Sequence, residues 1–269
     1  MKQIAISTSA FFLLMLLISC SDDDSNGNDG NINTKDGSYL QKTNRVLIYE
    51  LYELDENNNK LNEPQVTEQK SFGKVNILGD EAIALEVYEI ELGYRDTIYM
   101  KEDNDFLYIY IDYYSFSSRE GDLTPLFQIE PQWMKIYSFN QNEWIAFEHK
   151  VDKVEINIPG KFGDKLTAIM SNEMIYSGKR IGNENFVIRD RNETIETIIS
   201  EIEIKTKLDG TLIDGSPIPS SIKYPQIVEA KVKYYFAKEF GLINFEAINQ
   251  NTEPSDKSLK SVTRTVDYR

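Results

Sequence analysis

One cysteine and one histidine limit the chemistry open to this 269-residue chain. A Cys–His nucleophilic pair, a zinc site built from such ligands, or an internal disulfide needs more of them close together. Cys20 and His149 are far apart in sequence. His149 lies in Trp144-Ile145-Ala146-Phe147-Glu148-His149-Lys150. Read as a strand, this run turns Glu148 and His149 to opposite faces, so they make no acid–base pair. It places His149 on the face of Phe147 and Ile145, and the expected role is structural. The 44 acidic residues could supply the two carboxylates of a glycosidase, which stand about 5 or 6.5–9.5 Å apart. So many acids guarantee chance pairs, however. The runs Glu50/Glu53, Glu86/Glu89/Glu91 and Glu201/Glu203 read as solvated faces and turns. A glycine-rich phosphate loop, a Gly-x-Ser-x-Gly elbow and a His-Glu-x-x-His motif are all missing from the sequence. The chain reads as a non-enzyme with no cofactor and no metal.

Aromatic residues offer a second chemistry: 16 Tyr, 13 Phe and 2 Trp. Tyr108, Tyr110, Tyr113 and Tyr114 cluster, and Trp133 and Trp144 flank the next hairpin. On an exposed sheet such rings form a platform for sugar rings, and in a core they fill space. Core filling is the plainer expectation, and the six rings are the candidate ligand platform. The charge excludes a third chemistry, because 29 basic and 44 acidic residues leave −15. A nucleic-acid-binding surface needs the opposite sign.

The elements that must position these residues are strands. From about Tyr39 the chain is rich in Tyr, Ile, Val and Phe, which suit a pleated, half-buried surface. Val154, Ile156 and Ile158 alternate with Glu155 and Asn157, while Phe106–Ile111 is apolar on both faces. Strands are predicted near 46–54, 69–78, 82–91, 94–101, 105–115, 133–139, 143–149 and 152–158. Others fall near 165–176, 184–189, 198–207, 226–237, 241–248 and 260–267. Spacing of about ten residues favours antiparallel hairpins over crossovers through helices. Ile195, Ile198, Ile199 and Ile202 fit a helical stripe, but their β-branching and the Ile202-Glu203-Ile204-Lys205 alternation that follows favour a strand. The expected fold is mainly β: one large antiparallel meander over residues 38–269, curled into a half-barrel or open barrel.

Ahead of it, Lys2 and the apolar run Phe11–Ile18 form an export signal too short for a comfortable spanning helix. Leu17-Ile18-Ser19-Cys20 resembles the lipobox of bacterial lipoprotein signal peptides. The resemblance implies cleavage after residue 19 and acylation of Cys20, with each buried CH2 adding about 0.8 kcal/mol to anchoring. Residues 20–37 follow, opening with Ser21-Asp22-Asp23-Asp24 and holding no large apolar residue from Ser21 to Asn31. That composition predicts a disordered acidic tether. Ser-Asp-Asp-Asp after the cysteine also resembles the export signal of surface-exposed Bacteroidota lipoproteins, which implies the outer membrane and the cell surface. Tyr234-Tyr235-Phe236-Ala237-Lys238-Glu239-Phe240-Gly241-Leu242-Ile243 resembles the closing hairpin of β-rich Bacteroidota lipoproteins, whose sheets curl into half-barrels. The expected role is non-catalytic: binding or accessory work in the cell envelope. The partners would be the outer membrane, through the acyl chains, and an envelope protein complex or a glycan. Two alternatives stand beside it. One is a carrier enclosing an apolar ligand or lipid, lined by positions such as Val154, Ile156 and Ile158. The other is a glycan-binding or glycan-cleaving surface protein.

Overall fold

The computed structural model describes residues 37–55, 57–111, 117–118, 121–122, 124–159, 165–213, 216–218, 227–249 and 260–269. Cys20, the acidic stretch after it, Tyr113 and Tyr114 lie outside the described residues. The elements are β1 (Val46–Leu54), β2 (Gln65–Ile77), β3 (Asp80–Glu89), β4 (Tyr94–Glu102), β5 (Phe106–Ile111), β6 (Ser117–Ser118) and β7 (Gly121–Asp122). A one-turn helix α1 (Thr124–Phe127) precedes β8 (Gln132–Ser138), β9 (Glu143–Pro159), β10 (Lys165–Ile188) and β11 (Glu193–Leu212). β12 (Ile227–Ala237), β13 (Gly241–Asn249) and β14 (Lys260–Tyr268) complete the chain. Twelve strands form one antiparallel sheet in the order β8-β5-β4-β3-β2-β1-β14-β13-β12-β11-β10-β9, and β6–β7 pair separately. The sheet is nearly closed into a barrel.

This order makes β8 and β9 the two edges, although only residues 139–142 separate them in sequence. Their seam is sealed mainly by side chains. Trp144 Nε1 donates to the Lys135 carbonyl at 3.0 Å, and Ser200 Oγ from β11 donates to the Ile136 carbonyl at 2.6 Å. Arg180 adds a bond to the Phe139 carbonyl at 3.0 Å and one to Asn142 Oδ1 at 2.7 Å. Trp144 pairs in register with Gly178 on β10, and its indole lies where a side chain would be. A Cβ at residue 178 would stand 2.0 Å from Trp144 Cε2.

Beyond the seam, α1 packs Leu126 and Phe127 into the interior, held by Asn172 Nδ2 on the Leu126 carbonyl at 2.7 Å. The main core runs round the barrel and includes Leu107, Ile136, Met170, Ile202 and Phe236. A second, smaller core of Phe186, Ile188, Ile199, Tyr235, Ala237 and Ile243 lies where the β10–β11 tip is tied to β1 and β14. Here β14 bulges at Val266, whose freed carbonyl accepts from Asp190 N at 2.9 Å. Arg189 grips Glu50 bidentately at 2.8 and 3.0 Å.

Two pairs of predicted strands prove to be single long ones. Residues 143–149 and 152–158 form β9, and 165–176 and 184–189 form β10. The breaks between the predicted strands fall at or beside bulges: Lys153 has φ 48° and Gly182 has φ 142°, each at a shift of register. A bulge keeps the strand going while resetting its phase.

The two ends of the barrel differ. Residues 37–45 enter at one end, where the strand connections are short: 78–79, 103–105, 139–142, 189–192 and 238–240. The far end carries the longer connections, among them 55–64, 112–131, 213–226 and 250–259. The entering segment is strapped down. Glu102 accepts from Ser38 Oγ at 2.8 Å and Tyr39 N at 2.7 Å. Buried Gln41 and Gln69 bond to each other at 2.7 Å. Arg45 Nη1 donates to the Glu239 carbonyl at 2.8 Å, with its guanidinium 4.0 Å from the Phe240 ring centroid.

Two stability measurements follow from these contacts. Gly178→Ala drives a methyl into the Trp144 ring and should cost about 3 kcal/mol in urea unfolding. In the β2–β3 turn, Leu78 holds φ 52° beside Gly79 at φ 87°. That geometry favours asparagine over a bulky residue. Leu78→Asn should therefore stabilise the fold by about 1 kcal/mol in the same assay.

Candidate functional site

The barrel interior holds a lumen that reaches from Leu51, Thr67 and Glu89 on the far-end side to Leu242 beside the entry-end turn. Side chains that point inward from β1–β5, β8 and β12–β14 surround a cavity of about 70 Å3. Leu85, Val87, Ile98, Met100, Ile109 and Phe245 form much of its wall. Gln69 and Tyr49 lie deeper, while Leu51, Thr67 and Glu89 stand half-buried near the far-end tips of β1–β3. Burial pushes the Glu89 carboxyl above the usual carboxylate range. Next to it, the β3–β4 turn exposes Ile90, Leu92 and Tyr94, with Leu92 72% accessible. The geometry suits an apolar group entering from the far end, with one carboxyl group at the rim.

The carrier alternative drew its wall from other residues. Ile156 is packed into the main core at 4% exposure, Val154 leans on the same core, and neither lines the lumen. The lumen wall comes chiefly from the β1–β5 half, where alternation within Leu85-Glu86-Val87 and Ile98-Tyr99-Met100 carried the signal. Glu89 was read only as part of a solvated acidic run, because sequence does not show that an alternating strand ends at a barrel mouth.

The aromatic candidates divide. Trp144 does not join a surface platform: it is 6% exposed, bonded to Lys135 and packed on Gly178. Tyr108, Tyr110 and Trp133 are half-buried and gather with Tyr99 and Lys101. Tyr110 meets Tyr99 and Trp133 edge-on, at 80° and 65° between ring planes. The Lys101 ammonium lies 4.8 Å from the ring centroids of both Tyr108 and Trp133 and binds Asp80 at 2.6 Å. Tyr108 Oη donates to Asp103 at 2.8 Å; burial first, and then this bond, raise its pKa. These ring faces are engaged by their own neighbours instead of lying flat for a sugar.

His149 stacks against Phe147, with 18° between the rings and 6.3 Å between centroids. Ile145 is 53% exposed, so the expected shared face fails there. The register shift at Tyr176/Ser177 inserts Ala146 as an extra residue and turns Ile145 outward. Nε2 of His149 is buried and meets no hydrogen-bond partner among the described residues. Burial accordingly lowers its pKa below 6.5. Among the described residues, no group of three or more His, Cys, Asp or Glu is arranged to hold a metal ion.

No protein-family model matches this chain, and no curated protein matches it. Two solved structures are similar. One, described as a lipoprotein from Parabacteroides distasonis, shares 12% identity at a TM-score of 0.46, covering 88% of this chain and all of its own. The other, an exported protein with a YmcC-like fold from Bacteroides fragilis, shares 6% identity at 0.41, covering 87% and all of its own.

His149 gives a pH test. The unfolded imidazole takes up a proton near pH 6.5, and the folded one does so only lower. Stability tied to the neutral ring is therefore present above pH 6.5 and lost as pH falls through the folded pKa. Wild type should lose more stability between pH 7.5 and 5.5 than His149→Gln, measured by urea midpoint. NMR of the single imidazole should show titration below 6.5.

Proposed function

We propose that this protein is a lipid-anchored, non-catalytic binding protein of the cell envelope whose lumen receives a small apolar group of a larger partner. The observation that carries the reading is the lumen, whose half-buried lining residues Leu51, Thr67 and Glu89 lie toward the end opposite the entering N-terminal segment. Acylation of Cys20 would hold the entry end toward the membrane and turn the lumen mouth away from it. The charge run, apolar run and Leu17-Ile18-Ser19-Cys20 support that anchor, and the tether composition supports display at the outer membrane surface.

Size decides what enters. Pockets that enclose whole small molecules span about 300–1,000 Å3, whereas this lumen is about 70 Å3. It takes one aliphatic side chain or the end of an acyl chain, not an entire lipid. Burying such a group contributes about 1.5–3 kcal/mol, too little for stable association alone. The rim residues Ile90, Leu92 and Tyr94 would add the remaining contact, which fits an accessory protein that docks on a protein partner better than a soluble carrier.

Two measurements test this. Full-length protein expressed in a Bacteroidota host should incorporate labelled palmitate and fractionate with membranes, and Cys20→Ala should do neither. Xenon, a probe of dry apolar cavities, should shift the methyl NMR signals of Ile98, Met100 and Ile109. Val87→Phe, which fills the lumen, should abolish those shifts. Xenon shifts confined to other methyls would refute the lumen as the site.

A further inference from the structure

At the entry end the β2–β3 hairpin extends past its neighbours. β1 pairs with β2 only as far as Val46↔Lys70, and β4 pairs with β3 only as far as Ile83↔Met100. Beyond those points, residues 74–82 form a two-stranded finger that closes at Ile77↔Asp80. Its tip is Leu78, 59% exposed and at φ 52°. The turn already satisfies itself without that side chain, since Gly79 N donates to Asn76 Oδ1 at 3.1 Å. A bulky apolar residue in a left-handed, solvent-facing position is disfavoured by the backbone and by water alike. A use for the side chain outside the barrel accounts for both.

The surroundings of the tip indicate what it meets. The finger's charges are paired, Lys74 with Glu81 at 2.5 Å and Asp80 with Lys101 at 2.6 Å. In a chain of net charge −15, the finger itself therefore presents an apolar tip above two neutralised pairs. The entering segment lies against the same finger, because Ser38 and Leu40 line one depression with Lys74, Glu81, Ala82 and Ile83. Ser38 follows Cys20 by 18 positions. A flexible chain of that length spans about 25 Å on average. An acyl anchor at Cys20 thus keeps the finger within reach of the bilayer that holds it.

We propose that Leu78 dips into the lipid interface of that bilayer as a second, non-covalent contact. A single tether leaves a body free to tumble. Two contacts at one end fix its axis and hold the lumen mouth toward the far side. A lone apolar side chain adds little affinity, so its effect is on orientation and not on retention.

The inference rests on acylation at Cys20, and the experiment separates the two. In the full-length acylated protein the Cys20 thiol is consumed, so Leu78→Cys supplies one free thiol for an environment-sensitive fluorophore. The side chain is solvent-facing, and the substitution leaves the core untouched. In vesicles of phosphatidylethanolamine and phosphatidylglycerol, the label at 78 should shift to shorter wavelength and be quenched by nitroxide-bearing lipid. A label on Asn58→Cys, in the far-end β1–β2 connection, should show neither change. An acylated, vesicle-held protein whose label at 78 stays in water overturns the proposal, as does equal quenching at 58 and 78. Failure of palmitate incorporation identifies the anchor, not the finger, as the step that is wrong.

Discussion

The structure depends on closing a seam that the backbone alone does not close. β8 and β9 are edge strands of one sheet, 7 and 17 residues long, and they follow one another in the chain. Exposed edges carry unpaired donors and acceptors that invite pairing with other chains. Here Trp144 and Ser200 cap consecutive β8 carbonyls, while Arg180 secures the turn between the edges. Trp144 can lie flat enough to do so only because residue 178 is glycine. Without that approach β8 would stand away from β9–β11, and the aromatic packing of Phe106, Tyr137, Trp144 and Phe236 would lose its partners. The lumen wall would lose Ile136 with it.

Much of this fold can be read in the sequence because strand alternation is a local signal. The boundaries of β1, β4, β12, β13 and β14 fall within about two residues of expectation. What escaped was phase. At Ala146 one inserted residue turns Ile145 outward while Phe147 stays buried, and a strict period of two cannot show this. The Ile195–Ile202 stripe has a related cause. Ile198 faces the main core and Ile199 the second one, so adjacent residues are both buried and imitate a helix. Coverage of both strand faces depends on where the β10–β11 tip docks, and only the tertiary structure decides that.

The candidate site was less legible, for a reason specific to aromatic residues. Ring type does not distinguish a sugar platform from a structural cluster, because both need the same side chains. Trp144 is committed to the seam by one carbonyl and one glycine, neither of them near it in sequence. Tyr108 and Trp133 are engaged by Lys101, two strand positions from Tyr99. The lumen was hidden differently. Most wall residues look like ordinary core, and nothing in one strand shows that Val87, Thr67 and Thr263, all short, meet around one space.

That space bears on function through its cost. Protein interiors pack densely, and unfilled apolar volume destabilises by about 24 cal/mol per Å3 when the walls do not relax. For about 70 Å3 the cost is on the order of 1–2 kcal/mol, less where water reaches the rim. One larger side chain at Val87 would remove much of it, and the β8–β9 seam shows that this barrel packs tightly where rings meet. The same holds at the entry end, where Leu78 keeps a strained turn that asparagine would relieve. A fold that closes its seam with a fitted indole, yet leaves a void inside and strain at the entry end, departs from best packing in two places. The anchoring and binding readings need the barrel to meet other molecules through those same two features.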